Sequence, residues 1–243
     1  MDFRKIYEDN HTLVIDKTIG IMVHPDERQD EKTISDWFKE NYNVLGAGEL
    51  SREGIVHRLD RNTTGVLILA KDKIAYTSYK KQFKDHTARK VYRAIVEGNL
   101  KNDIGMISAP LARAKSDFRR RTIVDMFSGD QRGEEREAIT RYKVLSRSKT
   151  KDGRSFTYVE CYPLTGRTHQ IRAHFRGIRH PIIGDDLYGS EIGKDLAPRS
   201  MLHAYSLTLD IPGEKEGKVT KTFIADIPED MIEVLKRLLL DGK

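Results

Sequence analysis

The chain has 243 residues, 43 basic and 37 acidic side chains and a formal net charge of +6, with 38% hydrophobic and 33% charged residues. That composition excludes a disordered tail, and no apolar run approaches the roughly 20 residues that a bilayer span needs. Cys161, the single cysteine, excludes an internal disulfide and any multi-cysteine metal site. The opening Met1-Asp2-Phe3-Arg4-Lys5 leads into an acidic turn rather than an apolar stretch, so no secretory signal is expected and a reducing, cytoplasmic setting fits best.

Without a long linker, a repeat or a low-complexity tract, the sequence predicts one continuous domain. Short β-branched strands are expected at residues 12–16 and 21–24, with Gly20 as the turn between them. Helical spacing follows in Thr33-Ile34-Ser35-Asp36-Trp37-Phe38, where Thr33 or Ser35 can cap the start. Residues 66–70, entered through Gly65, read as a buried strand. A helix is then expected after Asp72, because Ala75, Tyr79, Gln82 and Phe83 recur at three- and four-residue steps.

The middle of the chain is rich in strand signals, at residues 91–96, 138–145 and 156–162. The last two are joined across Lys151-Asp152-Gly153, a hairpin turn signal. A final helix begins at Pro228 with Glu229 and Asp230 and ends before Gly242; Met231, Val234, Leu235, Leu238 and Leu239 form its apolar face. Strands outnumber helices and do not alternate strictly with them, which gives an α+β class with a largely antiparallel sheet.

The charge is unevenly placed. Residues 113–121 hold Arg113, Lys115, Arg119, Arg120 and Arg121 against Asp117. Residues 166–180 hold Arg167, Arg172, Arg176 and Arg179 with no acid, beside His169, His174 and His180. Concentrated positive charge of this kind suits phosphate contacts, because each Lys or Arg near a nucleic-acid backbone releases condensed counterions.

Three clusters could do chemistry. In His57-Arg58-Leu59-Asp60-Arg61-Asn62-Thr63-Thr64-Gly65 one acid sits between two arginines. Guanidinium groups on both sides hold such a carboxylate ionised, as a nucleophile requires. The same acid could instead accept amide hydrogen bonds from the Thr63-Thr64-Gly65 turn, and the residues alone leave both readings open. In Gly166-Arg167-Thr168-His169-Gln170-Ile171-Arg172 a glycine, an arginine and a Thr cap make a helix start that suits an anion. In Lys90-Val91-Tyr92-Arg93-Ala94, Tyr92 and Ala94 fall on one face of a strand. His169 and His174 are five apart, the wrong spacing for two ligands on one helical face. No phosphate loop, dinucleotide fingerprint or serine elbow occurs.

Together the clusters resemble the RluA family of RNA pseudouridine synthases. His57-Arg58-Leu59-Asp60 with Thr63-Thr64-Gly65 is similar to its HRLDxxTSG signature, Lys90 to Ala94 to its KxYxA strand, and Gly166 to Arg172 to its GRTHQIR motif. Ile6 to Asp9 through Gly20 to Pro25 resembles the family's opening, and His180 to Asp185, Leu187-Tyr188-Gly189 and Leu202-His203-Ala204 its closing elements. The motifs run in family order over nearly the whole chain. Thr64 stands where the family usually has Ser, and Thr18 where Pro is usual; neither removes a reactive group.

The resemblance implies a pseudouridine synthase fold, a bent, largely antiparallel sheet flanked by helices and loops with a central RNA-binding cleft. It implies an isomerase that converts uridine to pseudouridine in structured ribosomal or transfer RNA, without cofactor or metal. Asp60 would be the nucleophile, Arg167 would pair with it, and Tyr92 would stack under the detached uracil. RNA contacts are expected from Arg58, which would enter the RNA where the uridine leaves, and from His57, Arg61, Thr168, His169, Gln170 and Arg172. Arg119, Arg120 and Arg121 are expected in a segment that closes over the RNA. The further expectations are a monomer with no obligatory protein partner and no RNA-binding domain ahead of the catalytic one. The competing reading is a catalytically silent RNA-binding or chaperone protein on the same fold.

Overall fold

The computed structural model describes residues 1, 3–25, 31–44, 54–117, 119–124, 131–213 and 217–240. In chain order these form β1 (Arg4–Glu8), β2 (Thr12–Lys17), α1 (Ile34–Asn41), β3 (Thr64–Ala70), α2 (Lys73–Lys84), β4 (Arg89–Glu97), β5 (Ile104–Ser108), β6 (Leu111–Ala114) and β7 (Arg121–Ile123). Then come β8 (Gln131–Arg136), β9 (Ile139–Lys149), β10 (Ser155–Pro163), α3 (Gln170–Gly177), α4 (Glu191–Lys194), β11 (Leu202–Pro212), β12 (Lys218–Ile224) and α5 (Glu229–Arg237). No described helix is long and apolar enough to cross a membrane. The chain divides into two compact units, residues 1–90 with 204–226 and residues 91–203 with 227–243.

In the first unit the strand order is β1-β2-β3-β11, and β12 pairs with β11. The pairs β1–β2, β2–β3 and β11–β12 are antiparallel. All of β3 is buried, and Val66, Ile68 and Ala70 share a core with Ala75, Tyr76 and Tyr79 of α2. Each helix has the cap its sequence offers. Thr33 and Asp36 form a reciprocal capping box at α1, and Asp72 accepts from the Ala75 amide at 2.8 Å at α2. Residues 21–24 differ from expectation and are not a strand. The carbonyls of Met22 and Val23 instead accept from the Ile34 and Ser35 amides, both at 2.9 Å, so the first turn of α1 takes the bonds a neighbouring strand would have used.

In the second unit β4, β10, β9 and β5 lie side by side in that order, all antiparallel. A separate small sheet has the order β7-β6-β8. The expected hairpin joins β9 to β10, with Gly153 at φ +87° and the Thr150 amide donating to Arg154 O at 2.8 Å. Met231, Val234, Leu235 and Leu238 pack with Ile95, Tyr158 and Phe175 in the core of this unit. The helix α5 ends sooner than the pattern suggests: Leu239 adopts φ +56° and is 71% exposed, and Leu240 is buried in its place. Gly242 lies outside the described residues.

Candidate active site

In the first unit the loop into β3 carries His57, Arg58, Asp60 and Arg61. Leu59 is buried and anchors the segment, while Asp60 stands half-buried and Arg58 exposed. The Asp60 carbonyl accepts from the Thr63 amide at 3.0 Å, closing a turn over Asp60-Arg61-Asn62-Thr63. This turn is clamped from below by Lys17, the last residue of β2, which is fully buried. Its ammonium donates to Thr18 O at 3.0 Å, Arg61 O at 2.9 Å and Thr63 O at 3.0 Å. A buried charge is tolerable only when carbonyl dipoles replace its water, and here two of the three acceptors belong to the Asp60 turn. Gly65 completes the scaffold: at φ +112° a Cβ there would sit 2.2 Å from Ala204 O, so only glycine lets β3 lie this close to that backbone.

The cations beside Asp60 have partners of their own. Arg61 pairs with Glu31 at 2.8 Å, and Arg58 Nη1 lies 3.1 Å from His24 Nε2. His57 takes a place different from the RNA contact expected of it. Its Nε2 accepts from the Ile68 amide at 3.1 Å, and its ring stacks on Phe83 with centroids 4.5 Å apart. Burial, reinforced by the Lys90 charge, pulls its pKa down to about 3. The ring is therefore neutral, carries its proton on Nδ1, and supplies shape rather than charge. Burial also brings the Lys90 ammonium down to about 8.

In the second unit Tyr92 lies on β4 opposite Cys161 of β10 and packs, half-buried, against the core that includes Ala94. Burial pushes the Cys161 thiol up, which leaves it inert. The segment 165–174 is held by a chain of neutral groups. Gln170 Oε1 accepts from the Thr165 hydroxyl at 2.7 Å and from the Arg167 amide at 3.0 Å. Its Nε2 donates to Ile139 O and to Thr140 Oγ1, both at 3.0 Å. Thr140 Oγ1 lies 2.9 Å from His174 Nδ1, and His174 Nε2 lies 3.1 Å from Ala109 O. One polarity satisfies the whole run: Nε2–H donates to the carbonyl, and Nδ1 accepts from the threonine. Burial keeps His174 neutral, its pKa below the ordinary value.

This network corrects the expected Thr cap. The cap residue of α3 is His169, at φ +57° with no side-chain cap bond, because the Gln170 side chain already closes the turn onto Arg167. Thr168 is left exposed. The Arg167 Nε donates to Glu137 O at 2.9 Å, which fixes the direction of a half-buried guanidinium. Gln170 and Arg172 are buried, so they shape the segment instead of facing RNA. Arg172 grips Asp185 through two bonds, Nε to Oδ2 at 2.6 Å and Nη2 to Oδ1 at 2.8 Å. Burial raises the Asp185 pKa, but the bonds and charge of Arg172 and the Tyr188 and Leu187 amides outweigh it and hold the carboxyl below its usual value.

Arg119, Arg120 and Arg121 are not equivalent. Arg119 Nη2 donates to Asp117 at 2.7 Å, Arg120 lies over the Tyr188 ring at 5.5 Å, and the Arg121 amide donates to the Tyr188 hydroxyl at 2.6 Å. That hydroxyl lies 3.1 Å from His169 Nδ1, so Tyr188 ties the arginine segment to the start of α3. Sequence reasoning missed both Lys17 and Tyr188 as positioning groups. The one signal for Lys17 is a lysine at the end of a strand whose middle, Leu13-Val14-Ile15, is apolar.

Comparisons with known proteins point to one family. The RNA pseudouridylate synthase family model matches residues 11–176. An uncharacterised RNA pseudouridine synthase of Bacillus subtilis (strain 168) is 35% identical over 243 residues, 100% of this chain and 75% of that protein. The ribosomal large subunit pseudouridine synthase D of Zymomonas mobilis is 34% identical over 247 residues, 98% of this chain and 73% of that protein. Among solved structures, human RNA pseudouridylate synthase domain containing 4 superposes with a TM-score of 0.71 at 25% identity, covering 98% of this chain and 93% of that one.

Proposed function

The chain belongs to the RNA pseudouridylate synthase family, in the RluA group that its motifs resemble, and from that premise we propose that it isomerises uridines of ribosomal RNA with Asp60 as nucleophile. The substrate reading is carried by relatives named for the ribosomal large subunit that match 98% of this chain. The reaction breaks the bond from uracil N1 to ribose C1′, turns the base and joins C5 to C1′. The proton leaving C5 is balanced by one gained at N1, so no redox partner or energy source is needed. Asp60 captures either the ribose or the uracil ring. Tyr92 stacks under the detached base and assists removal of the C5 proton, and Arg167 holds a carboxylate charged.

Arg58, exposed and steadied by His24, takes the space left when the uridine flips from the RNA. Arg61, Thr168 and His169 contact the RNA, as do Arg120 and Arg121, with Arg119 contributing least because Asp117 already pairs with it. In this reading the 243 residues act as a single catalytic domain, a cytoplasmic monomer with no cofactor and no obligatory protein partner.

Asp60→Asn tests the assignment. The expected result is loss of pseudouridine formation in buffer without cofactor while RNA binding is retained; full activity overturns it. Mapping pseudouridine in cells with and without the gene tests the substrate. Sites lost from ribosomal RNA support the reading, and losses confined to transfer RNA overturn it.

A further inference from the structure

The small sheet β7-β6-β8 carries two cations, Arg113 and Arg132, that the catalytic reading does not use. Arg113 in the central strand is directly opposite Arg121 on one side and Arg132 on the other. Directly opposed residues of an antiparallel pair share a face, and like charges there repel. Three guanidinium groups therefore stand in one row across three strands. Arg136 lies at the end of the same strand as Arg132, and its guanidinium is held by Glu134 at 2.9 Å. Among the described residues neither Arg113 nor Arg132 has a carboxylate partner, and both are exposed.

The row borders a cavity of about 430 Å³ that the Gly166-Arg167-Thr168 turn also lines. Among the described residues, five arginines, at positions 113, 121, 132, 136 and 167, line it beside one carboxylate, that of Glu134. A sheet that keeps a row of like charges sacrifices stability unless an anion fills the space between them. The planar fork of arginine fits phosphate oxygens two at a time.

We propose that this cavity is a phosphate-binding site for the RNA backbone, formed by Arg113, Arg121 and Arg132 across the small sheet and closed by the turn that carries Arg167. It rests on the RNA-modifying reading above and deepens it: this sheet grips the strand by its phosphates, without reading bases, and so adds affinity rather than sequence preference. The cavity thereby sets Arg167 beside a bound phosphate.

The test uses Arg113→Gln and Arg132→Gln, singly and together, with a structured ribosomal RNA transcript that the unaltered enzyme modifies. Each substitution is expected to lower the slope of log affinity against log salt by about 1, to weaken binding by a similar factor on every RNA tested, and to raise KM. Tripolyphosphate is expected to compete with RNA for the unaltered protein and to compete less for the double variant. Unchanged affinity and salt slope overturn the site, as does weakening confined to one RNA sequence. The two readings fail separately. An unaltered enzyme that forms no pseudouridine removes the functional reading, whereas pseudouridine formation with unmoved affinity in the variants removes only the phosphate site.

Discussion

Residues 113–121 and residues 166–180 each carry four more basic than acidic side chains, yet Arg113 of the first and Arg172 of the second meet opposite surroundings. In the first stretch β6 buries Leu111, Ala112 and Ala114 and leaves Arg113 outside. In the second, residues 170–175 of α3 are buried together, and Arg172 goes in with them. A cation taken out of water must find an anion, and Asp185, itself fully buried, supplies it. The same residue type is thus a structural tie in one place and a surface charge in the other. What decides is the direction of the individual position, since Arg176 on the same helix as Arg172 is exposed.

The largest effect expected from this contrast is on stability. Arg172→Ala leaves Asp185 buried and unpaired, which costs about 3–5 kcal/mol, read as a fall in the denaturant midpoint. Arg172→Lys recovers only part of that, because an ammonium cannot make both bonds to the carboxylate. Arg113→Gln does not lower the midpoint, and by removing one charge of the opposed row it is expected to raise it slightly, while it weakens RNA affinity. Comparable losses of stability from the two substitutions would break the comparison.

A second, smaller effect is on pH. His174 is neutral in the folded chain, its pKa below the 6.5 of a free imidazole, and His57 stands at about 3. Below pH 6.5 the unfolded chain therefore binds protons that the folded chain refuses, and stability falls as pH falls. The Asp185 carboxyl is also depressed; its contribution is complete above the ordinary carboxylate pKa and is lost only below it. Between pH 6.5 and 4.5 the histidines alone among these three set the slope. Replacing His174 with Asn is expected to flatten the dependence of unfolding free energy on pH by up to about 1.4 kcal/mol per pH unit. An unchanged slope would show that His174 titrates in the folded protein.

The sequence made the elements with strong local signals legible. The Thr33 and Asp72 caps, the buried β3 run, the hairpin at Gly153 and the α+β class all follow from residue type and spacing. The strands β7 and β8 did not, since Arg121-Thr122-Ile123 and Gln131-Arg132-Gly133-Glu134-Glu135-Arg136 show no alternation of apolar and polar residues. Their pairing with β6 is what makes them strands. Candidate reacting residues could be named because motif and resemblance act on residue identity. Burial depends on contacts distant in sequence, so nothing in Gly166 to Arg172 tells that Arg172 meets an aspartate 13 residues further on, or that Lys17 meets the carbonyls of residues 61 and 63.

The smallest effect lies inside the first stretch. Arg119, exposed, and Asp117, half-buried, are two residues apart, with Nη2 2.7 Å from the carboxylate, and the aspartate is drawn down to about 2 first by that hydrogen bond. Such a pair adds little to the fold, but it occupies a guanidinium that would otherwise face RNA. Arg119→Ala should therefore weaken RNA binding less than Arg120→Ala, and Asp117→Asn should strengthen it and steepen its salt dependence by releasing Arg119 to phosphate. Affinity measured over a range of salt separates the two cases. If Arg119→Ala costs as much as Arg120→Ala while Asp117→Asn changes nothing, the aspartate does not restrain its neighbour, and the three arginines act as an undivided surface charge.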